Sequence, residues 1–301
     1  MNIYIWCSFH EECVNLINIL NDIIDIKLTI VKNPDEANII LANTWKPNIK
    51  IDINKPIIYW SGESYRSQIF NNNVPYIEFN SYIDNVNKTH IYFPYCVLSP
   101  YWSRNIKQID NDKQFFIAFC VSNSSAYSNC KNRINIFNRF CELLPEKEIH
   151  ALGQIYGNYK KNHRPLNGSH LTFNTIQEYS KYKFVLAIEN NIKEGYVTEK
   201  IMNVFAAGSI PIYQGCSKTV VKQFNKNSYI DINNFASLDE CISYVNNISQ
   251  EKYNEMLSHN IYNITSPDIL NIFDNDQKDY SSEYWINIKR QVDLFLENIN
   301  S

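Results

Sequence analysis

Two short stretches carry residue types that could do chemistry. The first is Gly195-Tyr196-Val197-Thr198-Glu199-Lys200. Thr198 stands where a helix N-cap belongs. Glu199 in the first turn is ordinary, because the helix dipole favours an anion there. Lys200 in the same turn is disfavoured unless an anion lies beside it. Unsatisfied backbone N–H groups plus a lysine at a helix start form a phosphate site. The second stretch is Ser61-Gly62-Glu63, where a glycine turns the chain and a carboxylate follows. An ionised carboxylate in that setting can take a proton from a hydroxyl. Each stretch also has a plainer reading: a solvated first turn of an amphipathic helix, and a solvated turn carboxylate.

The elements around both stretches place them alike. The apolar run Phe184–Ile188 does not alternate, so both its faces should be buried, as in a parallel sheet. It ends on Glu189-Asn190, and a polar loop leads to the Thr198 helix. Ile201, Val204 and Phe205 should share one helix face, Gly208 should stop the helix, and Ile210–Tyr213 should be a strand. This reads as a strand–helix–strand unit with parallel strands and a right-handed crossover. Glu63 follows another apolar run, Ile57–Trp60. Ligands of open α/β sheets bind outside the carboxyl ends of the strands, where both stretches would lie.

The 301 residues suffice for two compact domains, and 45% hydrophobic with 20% charged residues is ordinary for a folded chain. A net charge of −3 gives no basic field for nucleic acid or an anionic membrane, so no nucleic-acid partner is expected. Asn, Ile, Lys and Tyr are abundant and Gly is scarce, which weakens any motif built from Asn or Lys. The N-terminal segment lacks the features of a signal peptide, and no apolar run approaches the ~20 residues of a membrane span. A cytoplasmic location is the resulting expectation. The eight cysteines are scattered without a CxxC pair and should be free, mostly buried thiols. The histidines have no zinc-site spacing, and there is no phosphate-binding GxxxxGK[ST] loop. Asp110-Asn111-Asp112 and Asp274-Asn275-Asp276 have the spacing of a DxD metal motif, but both sit in polar, Asn-rich segments and read as loops.

In chain order, strands are predicted at 2–6, 26–31, 38–42 and 57–60, with a helix at 11–21, which makes a parallel α/β domain. Residues 61–113 give no clear element pattern, and the polar stretch 103–113 reads as a linker. A second α/β domain then has strands at 114–121, 148–152, 184–188, 210–213 and 229–231. Its helices fall at 129–144, 176–181, 219–224, 238–247 and 251–263. The tail 281–297 is amphipathic through Trp285, Ile288, Val292, Leu294 and Phe295. The expected division is 1–108, 109–275, and a terminal helix within 276–301 that crosses back to the first domain. The tryptophans read mostly as core, with Trp60 and Trp102 as candidates for stacking on a sugar.

Phe184–Asn190, Gly195–Lys200 and Ala206–Gly215, in that order and spacing, resemble the donor motif of the α-1,3/1,4-fucosyltransferases, with Ile188 in place of the usual phenylalanine. Ser61-Gly62-Glu63 resembles the (T/S)GE motif of bacterial members, and Ile91–Tyr95 resembles the strand-and-proline segment that follows it. The resemblance runs from about Pro56 to Ile248, and the first fifty residues fit only as generic α/β. It implies a GT-B fold, two Rossmann-like domains facing across a cleft. It implies GDP-fucose as donor, inversion at the anomeric carbon and a glycan acceptor, with O3 of N-acetylglucosamine in N-acetyllactosamine-like sugars as the expected site. No cofactor is implied, and Mn or Mg would be at most stimulatory. Eukaryotic members are usually anchored by an N-terminal span, so this chain resembles the bacterial or viral form.

By resemblance Glu63 is the general base, Glu199 binds the ribose hydroxyls and Tyr196 lines the donor pocket. Lys200 and the helix start at Thr198 would stabilise the departing phosphate. Glu189 and Asn190 would close the same pocket or act as structural strand-end partners. One departure stands out. The bacterial relatives carry a phosphate-binding arginine after a glycine-rich turn, and here the turn Gly153–Asn158 has none. Arg133 is the preferred substitute, with Lys160, Lys161 and Arg164 as alternatives. Two rivals remain: a GT-B enzyme with another nucleotide-sugar donor, and a degenerate module that binds nucleotide or sugar without catalysis.

Overall fold

The computed structural model describes residues 1–8, 10–45, 54–64, 74–83, 90–98, 112–122, 129–166, 172–263 and 280–300. The chain forms two compact units, residues 1–100 with 268–301, and residues 101–267.

The first unit is built on β1 (Asn2–Trp6), α1 (His10–Ile23), β2 (Thr29–Val31), β3 (Ile39–Asn43), β4 (Ile57–Ser61), β5 (Tyr76–Asn80) and β6 (His90–Tyr92). Its strands pair in the order β2-β1-β3-β4-β5-β6, all parallel. β3 and β4 are buried along their whole length, as non-alternating apolar strands inside a parallel sheet should be. β5 lies in the stretch that gave no clear sequence pattern. Its centre is Glu78, a fully buried carboxylate 3.5 Å from the buried His90 ring.

The second unit comprises β7 (Phe115–Phe119), α2 (Cys130–Leu143), β8 (Ile149–Ala151), α3 (Thr172–Tyr179), β9 (Tyr182–Ile188), α4 (Glu199–Ala206), β10 (Ile210–Gln214), α5 (Ser217–Gln223), β11 (Ile230–Asp231), α6 (Leu238–Asn246) and α7 (Gln250–Ser258). The strand order is β11-β10-β9-β7-β8, again all parallel. The chain steps from β7 to β8 on one side, then returns past β7 to lay down β9, β10 and β11 on the other. The winding therefore reverses between β7 and β9, which makes their carboxyl ends the switch point where such sheets bind ligands. Phe119 stacks on Phe137 at 4.7 Å, and with Phe140, Phe184, Leu186 and Ile212 they form the core of one sheet face. Burying each such side chain contributes roughly 1.5–3 kcal/mol.

The final helix, α8 (Glu283–Asn300), belongs to the first unit. Tyr284 donates its hydroxyl to the Tyr92 carbonyl at 2.8 Å, and the fully buried Trp285 meets Phe93 edge-to-face at 5.9 Å. Its inward residues are Trp285, Ile288, Val292 and Leu296. Leu294, expected on that face, is 58% exposed, because the stripe follows the 3.6-residue turn to Leu296 instead.

Of the cysteines in the described residues, Cys7, Cys13, Cys120, Cys141, Cys216 and Cys241 are free, and all but Cys120 are buried. No described helix is long and apolar enough to cross a membrane. Asp112 is described, but the rest of the first DxD segment, all of the second, and Trp102 lie outside the described residues.

Candidate active-site residues in the two units

α4 is short and nearly all buried. Ile201, Met202, Val204, Phe205 and Ala206 are covered on several sides, and so is Asn203. The expected single apolar face is therefore too narrow a description. A helix apolar all round is a core helix, here packed against α3, β9 and β10. Gly208, at φ 63°, ends it in the left-handed region that favours glycine.

Thr198 occupies the N-cap position with extended backbone, but its side chain caps nothing in α4. Ser237 and Ser249, by contrast, accept the N–H groups of Glu240 and Lys252 at the starts of α6 and α7. The Thr198 hydroxyl donates instead to Glu189 Oε2 at 2.8 Å, and the Thr198 N–H donates to Glu189 Oε1 at 2.8 Å. Glu189 is fully buried at the end of β9. Its own N–H donates to the Gln214 carbonyl at 2.8 Å, so the carboxylate sits between two strand ends. Gly215 leaves room for it: a Cβ there would stand 2.9 Å from Glu189 Cγ and 2.1 Å from the Tyr213 hydroxyl.

Lys200 lies over this carboxylate. Its Nζ is 3.6 Å from Glu189 Oε2, donates to Thr198 Oγ1 at 3.0 Å, and donates to Glu199 Oε1 at 3.1 Å. The Lys200 side chain keeps 22% exposure and Glu199 keeps 33%, so this end of the cluster reaches solvent while Glu189 does not. Burial draws the Lys200 ammonium down, but Glu199 and Glu189 more than reverse it, and Lys200 ends above its ordinary value. Burial pushes Glu199 up, and the charge and hydrogen bond of Lys200 outweigh that and leave it lowered. Burial dominates at Glu189 and leaves it raised, although Lys200 opposes the shift.

The first turn of α2 faces the same strand ends. Asn129 donates to the Glu189 carbonyl at 2.9 Å, Asn132 to Gln214 Oε1 at 2.7 Å, and Arg133 NH1 to Asn190 Oδ1 at 2.7 Å. These residues follow i, i+3, i+4 spacing, so one helix face meets the ends of β9 and β10. Arg133 is close enough for its charge to lower the proton affinity of Lys200 in part. Two cations thus share the β7/β9 switch point. Asn129, Asn132 and Gln214 had not been singled out from sequence; their helical spacing was a usable signal, hidden by the abundance of asparagine.

The alternatives to Arg133 sit elsewhere. Arg164 lies 4.3 Å over the Phe115 ring, at the amino end of β7. Lys160 and Lys161 lie on an exposed 3-10 turn, residues 160–162. Tyr196 is only 1% exposed, so its side chain is a buried part of the loop. That loop is tied down by the Gly195 N–H, which donates to Thr219 Oγ1 at 2.8 Å.

In the first unit Glu63 follows β4 and is partly exposed. Its N–H donates to Ser61 Oγ at 3.2 Å, and its Oε1 accepts the Trp45 indole N–H at 3.2 Å. Gly62 is required by close packing, because a Cβ there would stand 2.5 Å from the Tyr95 ring. Tyr95 donates its hydroxyl to Glu12 Oε1 at 2.6 Å. Two tryptophan expectations are corrected. Trp60 is 1% exposed and packs edge-to-face with Phe93 at 6.0 Å, so it has no face to offer a sugar. Trp45, expected in the core, is 47% exposed.

The family model for glycosyltransferase family 10 (fucosyltransferase), C-terminal part, matches residues 109–263, just over half of the chain. The chain belongs to this family. Among its relatives is the alpha-(1,3)-fucosyltransferase FucT of Helicobacter pylori, 42% identical over 86 residues, which are 28% of this chain and 18% of that protein. Another is the human 4-galactosyl-N-acetylglucosaminide 3-alpha-L-fucosyltransferase 9, 30% identical over 139 residues, 46% of this chain and 34% of that protein. The matched stretches span between about a fifth and a third of these relatives' length. A crystal structure of an alpha1,3-fucosyltransferase with GDP-fucose superimposes with a TM-score of 0.65 at 21% identity, covering 99% of this chain and 90% of that one. A T4 phage BGT mutant in complex with UDP-glucose gives 0.56 at 16% identity, covering 97% and 100%. The fold of this family 10 member is GT-B, an α/β architecture with parallel sheets.

Proposed function

We propose that this family 10 chain is an inverting fucosyltransferase. It moves L-fucose from GDP-fucose to a hydroxyl of a glycan, with O3 of N-acetylglucosamine in an N-acetyllactosamine-like sugar as the first acceptor to test. The observation that carries the reading is the pairing of Lys200 and Arg133 at the β7/β9 switch point, with the partly exposed Glu199 beside them. A nucleoside diphosphate needs cations at such a point, and a carboxylate near it suits ribose hydroxyls.

In the proposed reaction the acceptor oxygen bonds to the anomeric carbon as the bond from that carbon to the β-phosphate oxygen breaks. The acceptor's proton passes to Glu63. Negative charge grows on the β-phosphate oxygen, and Lys200 and Arg133 stabilise it, an electrostatic contribution that is commonly the largest. Glu189 and Thr198 do not touch the donor in this scheme. They hold the turn from which Lys200 projects, and Asn190 holds Arg133. Tyr196, buried in the loop before α4, keeps that loop packed. No step requires a metal, and any effect of Mn or Mg would be stimulatory.

The test is fucose transfer to N-acetyllactosamine by the purified chain with EDTA present, alongside Glu63→Gln and Lys200→Ala. Transfer that collapses in both variants supports the base and phosphate roles. GDP binding without transfer to any glycan would favour a binding module. Transfer from a different nucleotide sugar would move the chain to another donor class. Absence of any GDP binding would overturn the donor site.

A further inference from the structure

Trp45 is large and exposed, yet its backbone N–H, its carbonyl and its indole N–H are each hydrogen-bonded. Its N–H donates to Asn43 Oδ1 at 2.8 Å, and its carbonyl accepts the Ser8 N–H at 2.7 Å. Its indole N–H donates to Glu63 Oε1 at 3.2 Å. The adjacent Thr44 places Oγ1 2.8 Å from Ser61 Oγ and 2.9 Å from the Tyr59 hydroxyl. Ser61 Oγ in turn accepts the Glu63 N–H at 3.2 Å. The turn after β3 therefore grips Glu63 at two places: its backbone through Thr44 and Ser61, its carboxylate through Trp45. With 47% of Trp45 exposed, packing is a weak reason for its pose, and the bond to Glu63 is a specific one.

We propose that Trp45 is a positioning residue for transfer: its indole N–H holds Glu63 Oε1 and so aims Oε2 as the proton acceptor. Among the described residues no side chain donates to Oε2. A long carboxylate side chain on an exposed turn samples several rotamers, and one charge-assisted hydrogen bond selects among them. Catalysis is sensitive to such aim, because proton transfer requires hydrogen-bond distance to the acceptor hydroxyl. The inference rests on the reading of Glu63 as the base.

The test separates the indole N–H from the ring. Trp45→Phe keeps an aromatic surface and loses the donor; Trp45→Ala loses both. Trp45→Phe should lower kcat about tenfold, the effect of losing one charge-assisted bond, while KM for GDP-fucose and for the acceptor stays within about twofold. In a Glu63→Gln background the same change should alter the residual rate less than about twofold, since the group it aims is gone. Trp45→Phe with wild-type kcat, together with a raised acceptor KM in Trp45→Ala, would overturn the proposal and leave Trp45 as a sugar platform. Full activity of Glu63→Gln alone would instead overturn the base assignment on which it rests.

Discussion

Thr198 gives both its backbone N–H and its hydroxyl to the one buried carboxylate of Glu189, each at 2.8 Å. An N-cap residue normally serves its own helix. Here it is committed to the preceding strand end, so the orientation of the α4 start is fixed by β9.

Replacing Glu189 should therefore damage both stability and donor binding. Glu189→Ala leaves a buried N–H and hydroxyl without their acceptor and Lys200 with one counter-charge fewer. Loss of about 3–5 kcal/mol is expected when one partner of a buried ionic cluster is removed. Glu189→Gln keeps an acceptor for the Thr198 bonds and should lose less. Urea denaturation midpoints and GDP affinity measure the two effects. Wild-type stability in Glu189→Ala would refute the positioning role.

Lys200→Ala should act on turnover and also lower stability, because it leaves the fully buried Glu189 carboxylate without its cation. A fall in kcat of about 10²–10³ is expected for removal of one preorganised group that stabilises developing charge. Weaker GDP binding should accompany it, with a circular dichroism spectrum like that of the wild type. Arg133→Lys should lower activity less, since it retains charge but cannot reproduce a guanidinium's fixed donor geometry at Asn190.

The carboxylates of the cluster give stability a two-signed dependence on pH. Glu189 is raised above its ordinary 4.5, chiefly by burial. Just above that value the folded chain keeps a proton that the unfolded chain has released, so this group makes stability fall as pH rises through the window. Glu199 is lowered from 4.5, where Lys200 outweighs burial. Its contribution is present above 4.5 and is lost as pH falls through the lowered value. Lys200, raised above 10.5, contributes fully at neutral pH and loses its contribution only in strong alkali. Urea midpoints measured from about pH 3 to 7 should show Glu189→Gln removing the upper slope and sparing the lower. An unchanged profile in that variant would contradict the assignment.

Gly215→Ala should destabilise by about 1–3 kcal/mol, the usual result of overpacking. The nearest atom to the new Cβ would be the Tyr213 hydroxyl, which is buried and has no hydrogen-bond partner among the described residues. Tyr213→Phe alone should thus be nearly neutral, and in combination it should recover part of the Gly215→Ala loss. Thermal midpoints of the two single variants and the double decide this.

The strand–helix–strand unit through α4 was legible because its signals are local. Phe184–Ile188 is apolar throughout, Gly208 stops the helix at positive φ, and Gly215 follows the next strand. β5 was not legible, because the buried Glu78 and Asn80 interrupt the apolar pattern of a strand that is inside. Lys200 and Glu199 could be singled out as misplaced charge and dipole-favoured charge. For Glu189 the strand-end structural role was one of two readings, but its partner could not be named, since it is Thr198, nine positions later. The tryptophans were the least readable: Trp45 and Trp60 differ in exposure by their place relative to a turn, which composition does not encode.

The placement of α8 sets an order on how the molecule comes into being. The first unit draws on residues 1–100 and again on 268–301, whereas the second is one uninterrupted segment, 101–267. A ribosome delivers the N-terminal sheet first, yet Trp285, wholly enclosed against Phe93, arrives only after the second unit has been made. Until then the sheet waits with an open apolar seat. The earlier-born half is the later one to be finished, and a chaperone guarding the nascent chain would find its ground there.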